Sequence, residues 1–391
     1  MPQSAPQNIL IVAGEESGDL HGSHLVEALK TLCPGLAFRG MGGGKMRRAG
    51  VHTFFDIDRM GAVGLVEILG NIAHYLKVYC KLTAEIAGNK YDAAILIDYP
   101  TLNLRLAKKC KQVNCPVFYF ISPQIWAWRG GRIKDIRRDV TKMLVLFPFE
   151  ETLYREAGVN VDFVGHPFIE LVRPTLPPQD ALKKFGLRTD VKTVGLLPGS
   201  RKNEIDSLLH VMIEAAGKIR NEIRDCQFLL PVADSIDPEY IRRKLQPNPL
   251  DIRTVTGSNY DVMNCCDFLI TASGSATLEA GLLGTPMVIV YKLSPLTYWL
   301  ARRLVKVDHF GLVNIVAGER VVPELVQAAA TPGNIAREAL RILKNPELDR
   351  SVRDKLAGIG KSLGVPGVAR RAAESIAADL HLLPTHEKAD G

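Results

Sequence analysis

None of the seven cysteines belongs to a CxxC pair: Cys110 and Cys115 stand five apart and Cys265 and Cys266 are adjacent. An odd count at irregular spacing fits a reduced cytosol better than a disulfide framework. No apolar run reaches the roughly 18–20 residues that span a bilayer. The start, MPQSAPQNIL, lacks the basic flank and long apolar segment of a signal peptide, so a cytoplasmic chain is expected. There is no Walker sequence, since Gly44–Lys45 is followed by Met46, and no GxGxxG follows the first apolar run. ATP-type and NAD-type readings lose their support accordingly. Metal ligands are also sparse. His21 and His24 share a helix face without a third ligand at metal spacing, and Asp56–Ile57–Asp58 has a DxD form that arises often by chance. No metal site is expected. The densest basic run, Arg129 to Lys142, is interrupted by Asp135 and Asp139 and belongs to no nucleic-acid module.

What is present is the composition of a folded, two-domain protein. The 391 residues are 47% hydrophobic and 23% charged, with a formal net charge of +7 that favours anionic partners without choosing among them. Short apolar runs recur, each followed by a helical pattern: Asn8–Ala13, Ala93–Ile97, Val117–Ile121, Met143–Phe147, then Thr193–Leu197, Gln227–Val232, Phe268–Thr271 and Met287–Tyr291. Strands alternating with helices imply parallel sheets covered on both faces, and two such series imply two Rossmann-like, doubly wound α/β domains. Residues 1–172 form the expected first domain and 185–333 the second. The proline-rich RPTLPPQDALKK at Arg173–Lys184 is the expected joint. Residues 334–383 read as helices crossing back to the first domain, with the cleft left between domains, and 384–391 as a frayed tail.

Ligands of open parallel sheets bind beyond the carboxyl ends of the strands, where helix starts offer N–H groups. The second domain has two such places. In VGLLPGSRKNEI a strand runs into Gly199 and Ser200, with Arg201 at the next helix entrance, suited to gripping a phosphate. In FLITASGSATLEAG, Ser273–Gly274–Ser275 opens a helix through Ala276 and Thr277, with Glu279 one turn inside to accept ribose hydroxyls. Each segment alone is equally an ordinary helix cap with a surface charge. Together they favour a nucleotide diphosphate.

Longer blocks carry a resemblance. AGEESGDLHG (Ala13–Gly22), GMGGGKM (Gly40–Met46), MGAVGLVEIL (Met60–Leu69), IDYPTLNLRLAK (Ile97–Lys108) and YFISPQIWAWRGGRI (Tyr119–Ile133) are followed by FVGHP (Phe163–Pro167) and LLPGSRKNEI (Leu196–Ile205). TASGSATLEAGLLGTPMVIVYK (Thr271–Lys292) and LVNIVAGERVVPEL (Leu312–Leu325) complete the set. In this order they resemble the lipid-A-disaccharide synthases, inverting glycosyltransferases of the GT-B architecture. The resemblance implies transfer from UDP-2,3-diacylglucosamine to the 6-hydroxyl of 2,3-diacylglucosamine 1-phosphate, giving a β-1,6-linked disaccharide 1-phosphate and UDP. It also implies no metal and no organic cofactor, a cytoplasmic enzyme on the anionic inner-membrane face, and a homodimer with exchanged C-terminal helices.

Inversion in one displacement requires a base on the acceptor hydroxyl and stabilisation of the leaving diphosphate. Asp98, at the carboxyl end of AAILI, is the acid that the resemblance assigns as base; the alternative is a capping Asp in an Asp-Tyr-Pro turn. Arg201 and the Ser273–Thr277 helix start would serve the diphosphate, and Asn314, chiefly by resemblance, would lie near the nucleotide. Glu15, Glu16 and Ser17 would order sugar hydroxyls, although adjacent acids are also ordinary in a solvated loop; Asp19 and His21 are weaker candidates. Val63, Leu65, Val66, Ile68, Leu69 and Ile72 are too many for one narrow stripe and suit an acyl groove or membrane face, or equally a buried helix. Trp299 with Arg302, Arg303 and Lys306 forms a basic amphipathic pattern suited to an anionic bilayer, or a core-packed helix with a charged outer face. Trp126 and Trp128 receive no role. The rivals are a GT-B-fold UDP-sugar 2-epimerase and a non-catalytic UDP-sugar or lipid-binding protein.

Overall fold

The computed structural model describes residues 8–57, 72–88, 90–126, 130–246, 248–293 and 309–382, with 72–74 through their backbone. They form two units, Met1–Pro167 with Val365–Gly391, and Phe168–Gly364. In the first unit β1 (Asn8–Ala13), β2 (Ala37–Gly42), β3 (Val51–Asp56), β4 (Ala93–Ile97), β5 (Val117–Phe120), β6 (Lys142–Val145) and β7 (Val161–Phe163) lie parallel. Their order is β3-β2-β1-β4-β5-β6-β7. The central runs AAILI and VFYF are buried at every position, as a sheet with helices on both faces demands. The Glu16–Leu32 helix shows how such a cover is specified: Leu25, Val26 and Leu29 turn inward, while acids sit in its first turn and Lys30 in its last, complementing the helix dipole.

In the second unit β8 (Lys192–Leu197), β9 (Cys226–Val232), β10 (Ile252–Thr256), β11 (Phe268–Ala272), β12 (Met287–Tyr291) and β13 (Glu324–Val326) are likewise parallel, in the order β10-β9-β8-β11-β12-β13. Each sheet reverses its order once, between β1 and β4 and between β8 and β11. At those reversals neighbouring loops diverge and open a crevice beyond the strand ends. The register places particular residues there. Ala13 pairs with Ile97, so Gly14 and Asp98 leave the first sheet side by side. Leu197 pairs with Thr271, so the Pro198–Arg201 turn and Ser273–Ser275 leave the second together.

The division between units differs from the sequence expectation at both crossings. The proline-rich 173–184 stretch is built into the second unit: the buried Asp261 carboxylate accepts the Thr175 N–H at 2.6 Å, the Thr175 hydroxyl at 2.6 Å and the Leu176 N–H at 3.0 Å. Its Pro178–Lys184 helix packs against the Asn259–Cys265 helix. Of the C-terminal helices, Pro332–Leu343 and Pro346–Ser362 stay on the second unit, burying Ile335, Ala339 and Ile342, and Val352, Leu356 and Ile359. Only Val368–Asp379 belongs to the first, where it packs on the Glu16–Leu32 helix. Buried Lys142 reaches Asp379 at 2.7 Å, and Arg371 donates to the Val164 carbonyl at 2.9 Å. Among the described residues no helix is long and apolar enough to cross a membrane.

Candidate active site

In the first unit the site is built around two consecutive residues in the left-handed region, Asp98 at φ 44° and Tyr99 at φ 45°. Such backbone costs about 1–3 kcal/mol per residue and persists only where its surroundings over-determine it. Here the Asp98 N–H donates to the Phe120 carbonyl at 2.9 Å, and the Asp98 carbonyl accepts Asn103 Nδ2 at 2.8 Å and the Tyr119 hydroxyl at 2.6 Å. The Tyr99 ring lies over Gly14, where a Cβ would come within 2.3 Å of it. A glycine is therefore required at that point of the AGEESG segment.

The bend leaves the Asp98 carboxylate partly buried beside Glu15. Burial, and secondarily the Glu15 charge, push its pKa from 3.8 up to about 6, against the Tyr99 N–H that favours the anion. A carboxylate tuned there is a competent base near neutral pH. Glu15, Glu16 and Ser17 are exposed on the adjoining loop, and Glu16 pairs with Lys45 at 3.3 Å. Asp19 is spent structurally: it accepts the N–H groups of Gly43, Lys45 and Met46 at 2.6, 2.9 and 3.0 Å, capping the Gly44–Arg48 helix.

Behind this rim lie His21, a weaker candidate from the sequence, and two buried groups that the sequence did not single out, His166 and Glu150. Burial and the neighbouring His24 lower His21 to about 4, and burial with the neighbouring His21 lowers His166 to about 3, so both imidazoles are neutral at pH 7. Glu150 is 2% exposed and accepts Trp126 Nε1 at 3.2 Å and the Phe147 N–H at 3.3 Å. Burial raises it from 4.5 to about 7 despite these donors. The folded chain thus holds this proton to higher pH than an unfolded one, so Glu150 stabilises the fold fully below pH 4.5 and that contribution is lost as pH rises through 7. Glu150→Gln is expected to gain about 2 kcal/mol on wild type between pH 5 and pH 8, read by urea unfolding at both. Parallel stability curves would refute the assignment.

The second unit presents a cationic turn and a helix start. Gly199, at φ 115°, has no room for a side chain, since a Cβ would lie 2.3 Å from Glu204 Oε2. Glu204 gathers the turn: it accepts the Ser200 and Arg201 N–H groups at 3.1 and 3.3 Å and the Arg201 guanidinium at 3.0 Å. The Arg201 side chain is 81% exposed at the entrance of the Lys202–Glu222 helix. Opposite it in register, the Ser275–Leu282 helix begins at exposed Gly274 and Ser275. Glu279 lies one turn in, raised by burial while a bond from Ser275 opposes the rise; Tyr260 is raised by its own burial and secondarily by the Glu279 charge.

These two crevices can be set beside known proteins. A family model described as lipid-A-disaccharide synthetase matches residues 9–364. The chain belongs to that family. It is 47% identical over 366 residues to the lipid-A-disaccharide synthase of Syntrophus aciditrophicus (93% of this chain, 96% of that one). It is 43% identical over 379 residues to that of Myxococcus xanthus (97% and 98%). Among solved structures it resembles UDP-GlcNAc 2-epimerase from Neisseria meningitidis bound to UDP-GlcNAc, with a TM-score of 0.62 at 12% identity, covering 96% of this chain and 100% of that one. The calicheamicin glycosyltransferase CalG4 gives 0.58 at 15% identity, covering 97% and 99%. These structural likenesses show the fold, two parallel doubly wound units.

Within the family's motifs the structure sorts the candidate residues. Asp98 and Glu15 come together, as do Gly199, Ser200 and Arg201 with one another. Gly274, Ser275 and Ala276 head their helix, and Ser273 donates its hydroxyl to the Phe310 carbonyl at 3.0 Å. Thr277 and Asn314 correct the expectation. The buried Thr277 hydroxyl is used on the Gly274 carbonyl at 2.8 Å. Asn314 is fully buried: its Nδ2 serves the Val322 carbonyl and Glu324 Oε1, both at 2.8 Å, and its Oδ1 accepts the Val321 and Val322 N–H groups at 3.0 Å. Both amide hydrogens and both lone pairs are consumed, leaving nothing for a ligand. Its partner Glu324 also accepts the Phe310 and Gly311 N–H groups at 2.8 and 2.9 Å, so Asn314 braces the segment that holds Ser273. The hydrophobic set Val63, Leu65, Val66, Ile68 and Leu69, the Ile72 side chain, and Trp299, Arg302, Arg303 and Lys306 lie outside the described residues, as do Trp128 and the 384–391 tail.

Proposed function

We propose that the chain transfers 2,3-diacylglucosamine from UDP-2,3-diacylglucosamine to the 6-hydroxyl of 2,3-diacylglucosamine 1-phosphate, with inversion, working at the cytoplasmic face of the inner membrane. Family membership supports the reaction class. The observation that carries the mechanism is the Asp98 carboxylate, held by strained backbone at the β1/β4 reversal with its pKa near 6. Asp98 takes the proton of the acceptor hydroxyl as that oxygen forms its bond to the donor's anomeric carbon. The bond from that carbon to the diphosphate breaks, and UDP leaves with the electron pair. Arg201 and the helix start at Ser275 meet the developing negative charge with groups already in place, which lowers the barrier without reorganisation. Glu279 accepts ribose hydroxyls, and Glu15 orders the acceptor sugar while keeping Asp98 basic.

A metal-free assay with labelled donor, with and without the acylated glucosamine 1-phosphate, tests this by mass. A tetra-acyl disaccharide phosphate and UDP are expected only when both substrates are present. Rearrangement of the donor sugar without acceptor, or binding without turnover, would overturn the reading in favour of an isomerase or a binding protein.

A further inference from the structure

A cavity of about 320 Å³ opens on the first unit between the Pro100–Gln112 helix and the Ile133–Asp139 helix. Its lining includes Pro100 and Thr101, the first turn of the helix that follows the Asp98–Tyr99 bend. Its charged lining is unbalanced: Arg105, Lys108, Arg132 and Arg138 face two carboxylates, Asp135 and Asp139. Both carboxylates are engaged by Arg138, at 3.0 Å from Asp135 and 2.6 Å from Asp139. Arg105 and Lys108 stand one helical turn apart on the exposed face and have no carboxylate partner among the described residues. Arg105 is nevertheless placed, its guanidinium 5.9 Å from the centre of the Tyr75 ring, while the Tyr75 hydroxyl donates to the Thr101 carbonyl at 3.0 Å. Arg132 lies close enough to Tyr119 to oppose the rise of that phenol's pKa, and Tyr119 is the residue that donates to the Asp98 carbonyl.

We propose that this cavity seats the phosphomonoester of the acceptor, with Arg105 and Lys108 as its principal ligands and Arg132 also in its lining. The inference rests on the reaction given above and adds to it the part of the site that recognises the acceptor. An acceptor with a hydroxyl at one end and a phosphate at the other must present the hydroxyl to Asp98 and keep its own charge away from the Asp98 and Glu15 carboxylates. A cationic cavity that runs along the helix following the base does both. Arginine and lysine together suit a phosphate monoester, the first as a two-pronged donor and the second as a compact charge. The donor's diphosphate has its own cation, Arg201, in the other unit. The same phosphate chemistry is offered by the headgroup of an anionic lipid, so the experiment must separate the two sources.

The test compares the full-length wild type with Arg105→Glu/Lys108→Glu, in non-ionic detergent micelles, on 2,3-diacylglucosamine 1-phosphate and on the same acceptor without its phosphate. The wild type is expected to prefer the phosphorylated acceptor in kcat/KM, and the double variant is expected to reduce that preference by roughly tenfold or more, as loss of charge-assisted hydrogen bonds implies. Arg105→Lys, which keeps the charge, is expected to restore most of it. A preference unchanged within about twofold would overturn the assignment, as would an equal loss on both acceptors. In a second arm both proteins are bound to phosphatidylcholine vesicles with and without phosphatidylglycerol. If the double variant loses only the phosphatidylglycerol-dependent binding and keeps its acceptor preference, the cavity reads the bilayer and the proposal falls. If the wild type makes no disaccharide from either acceptor, the reaction itself has failed and the assignment falls with it.

Discussion

Replacing Asp98 with asparagine is expected to lower kcat by roughly 10²–10⁴-fold while UDP-sugar binding is retained, the range that a positioned general base supplies. Asparagine keeps the side chain's size but cannot accept the proton of the acceptor hydroxyl. The pH profile provides an independent check. With the folded-state pKa near 6, wild-type kcat/KM should fall on the acid side of that value as the carboxylate is protonated, and the residual activity of the variant should lack this limb. Glu15→Gln should move the limb to lower pH, because it removes one of the two causes that raise Asp98. Steady-state rates across pH for the three proteins decide the matter. An Asp98→Asn enzyme at wild-type rate, or one that keeps the acid limb, would assign the base elsewhere.

The second large effect concerns Arg201. Its loss to alanine is expected to reduce kcat by roughly 10²–10³-fold, comparable to removing one preorganised donor from a charge-stabilising site. The guanidinium is exposed and held to Glu204 in the structure, so the substitution leaves the core untouched. Arg201→Lys should recover part of the rate, since a lysine restores the charge without the two-pronged geometry. The discriminating measurement is kcat against the donor KM. A rise in KM alone would mean that Arg201 binds the donor and its transition state equally, and would remove it from the chemical step.

Legibility in the sequence followed burial. The runs AAILI and VFYF announce themselves because central parallel strands are buried on both faces and must be apolar throughout. The strands AFRGMG, VHTFFD, VDF, IRTVT and ELV escaped that reading, since at or near a sheet edge each has positions that are exposed or only half-buried and so need not be apolar. The 173–184 stretch looked like a linker by composition, yet Asp261, more than eighty residues away, receives its N–H groups. The same holds at the site. Asp98 was found because it ends an apolar run, and Arg201 because it stands at the helix entrance just after one. Glu204 had a sequence signal, an acid at the third position of its helix. Glu150, His166 and Glu324 had none, because each acquires its meaning from what surrounds it.

By itself the sequence determined the alternation of strands and helices, hence two doubly wound units, and the identity of the residues at the strand ends. Those properties follow from the local periodicity of apolar side chains and from backbone needs such as the glycines at positions 14 and 199. The tertiary structure alone decided the strand order that makes β1/β4 and β8/β11 the reversals, the proton affinity of Asp98, and the commitment of Asn314 to its own chain. Solvation and charge proximity are sums over groups distant along the chain, and no local pattern of residues encodes them.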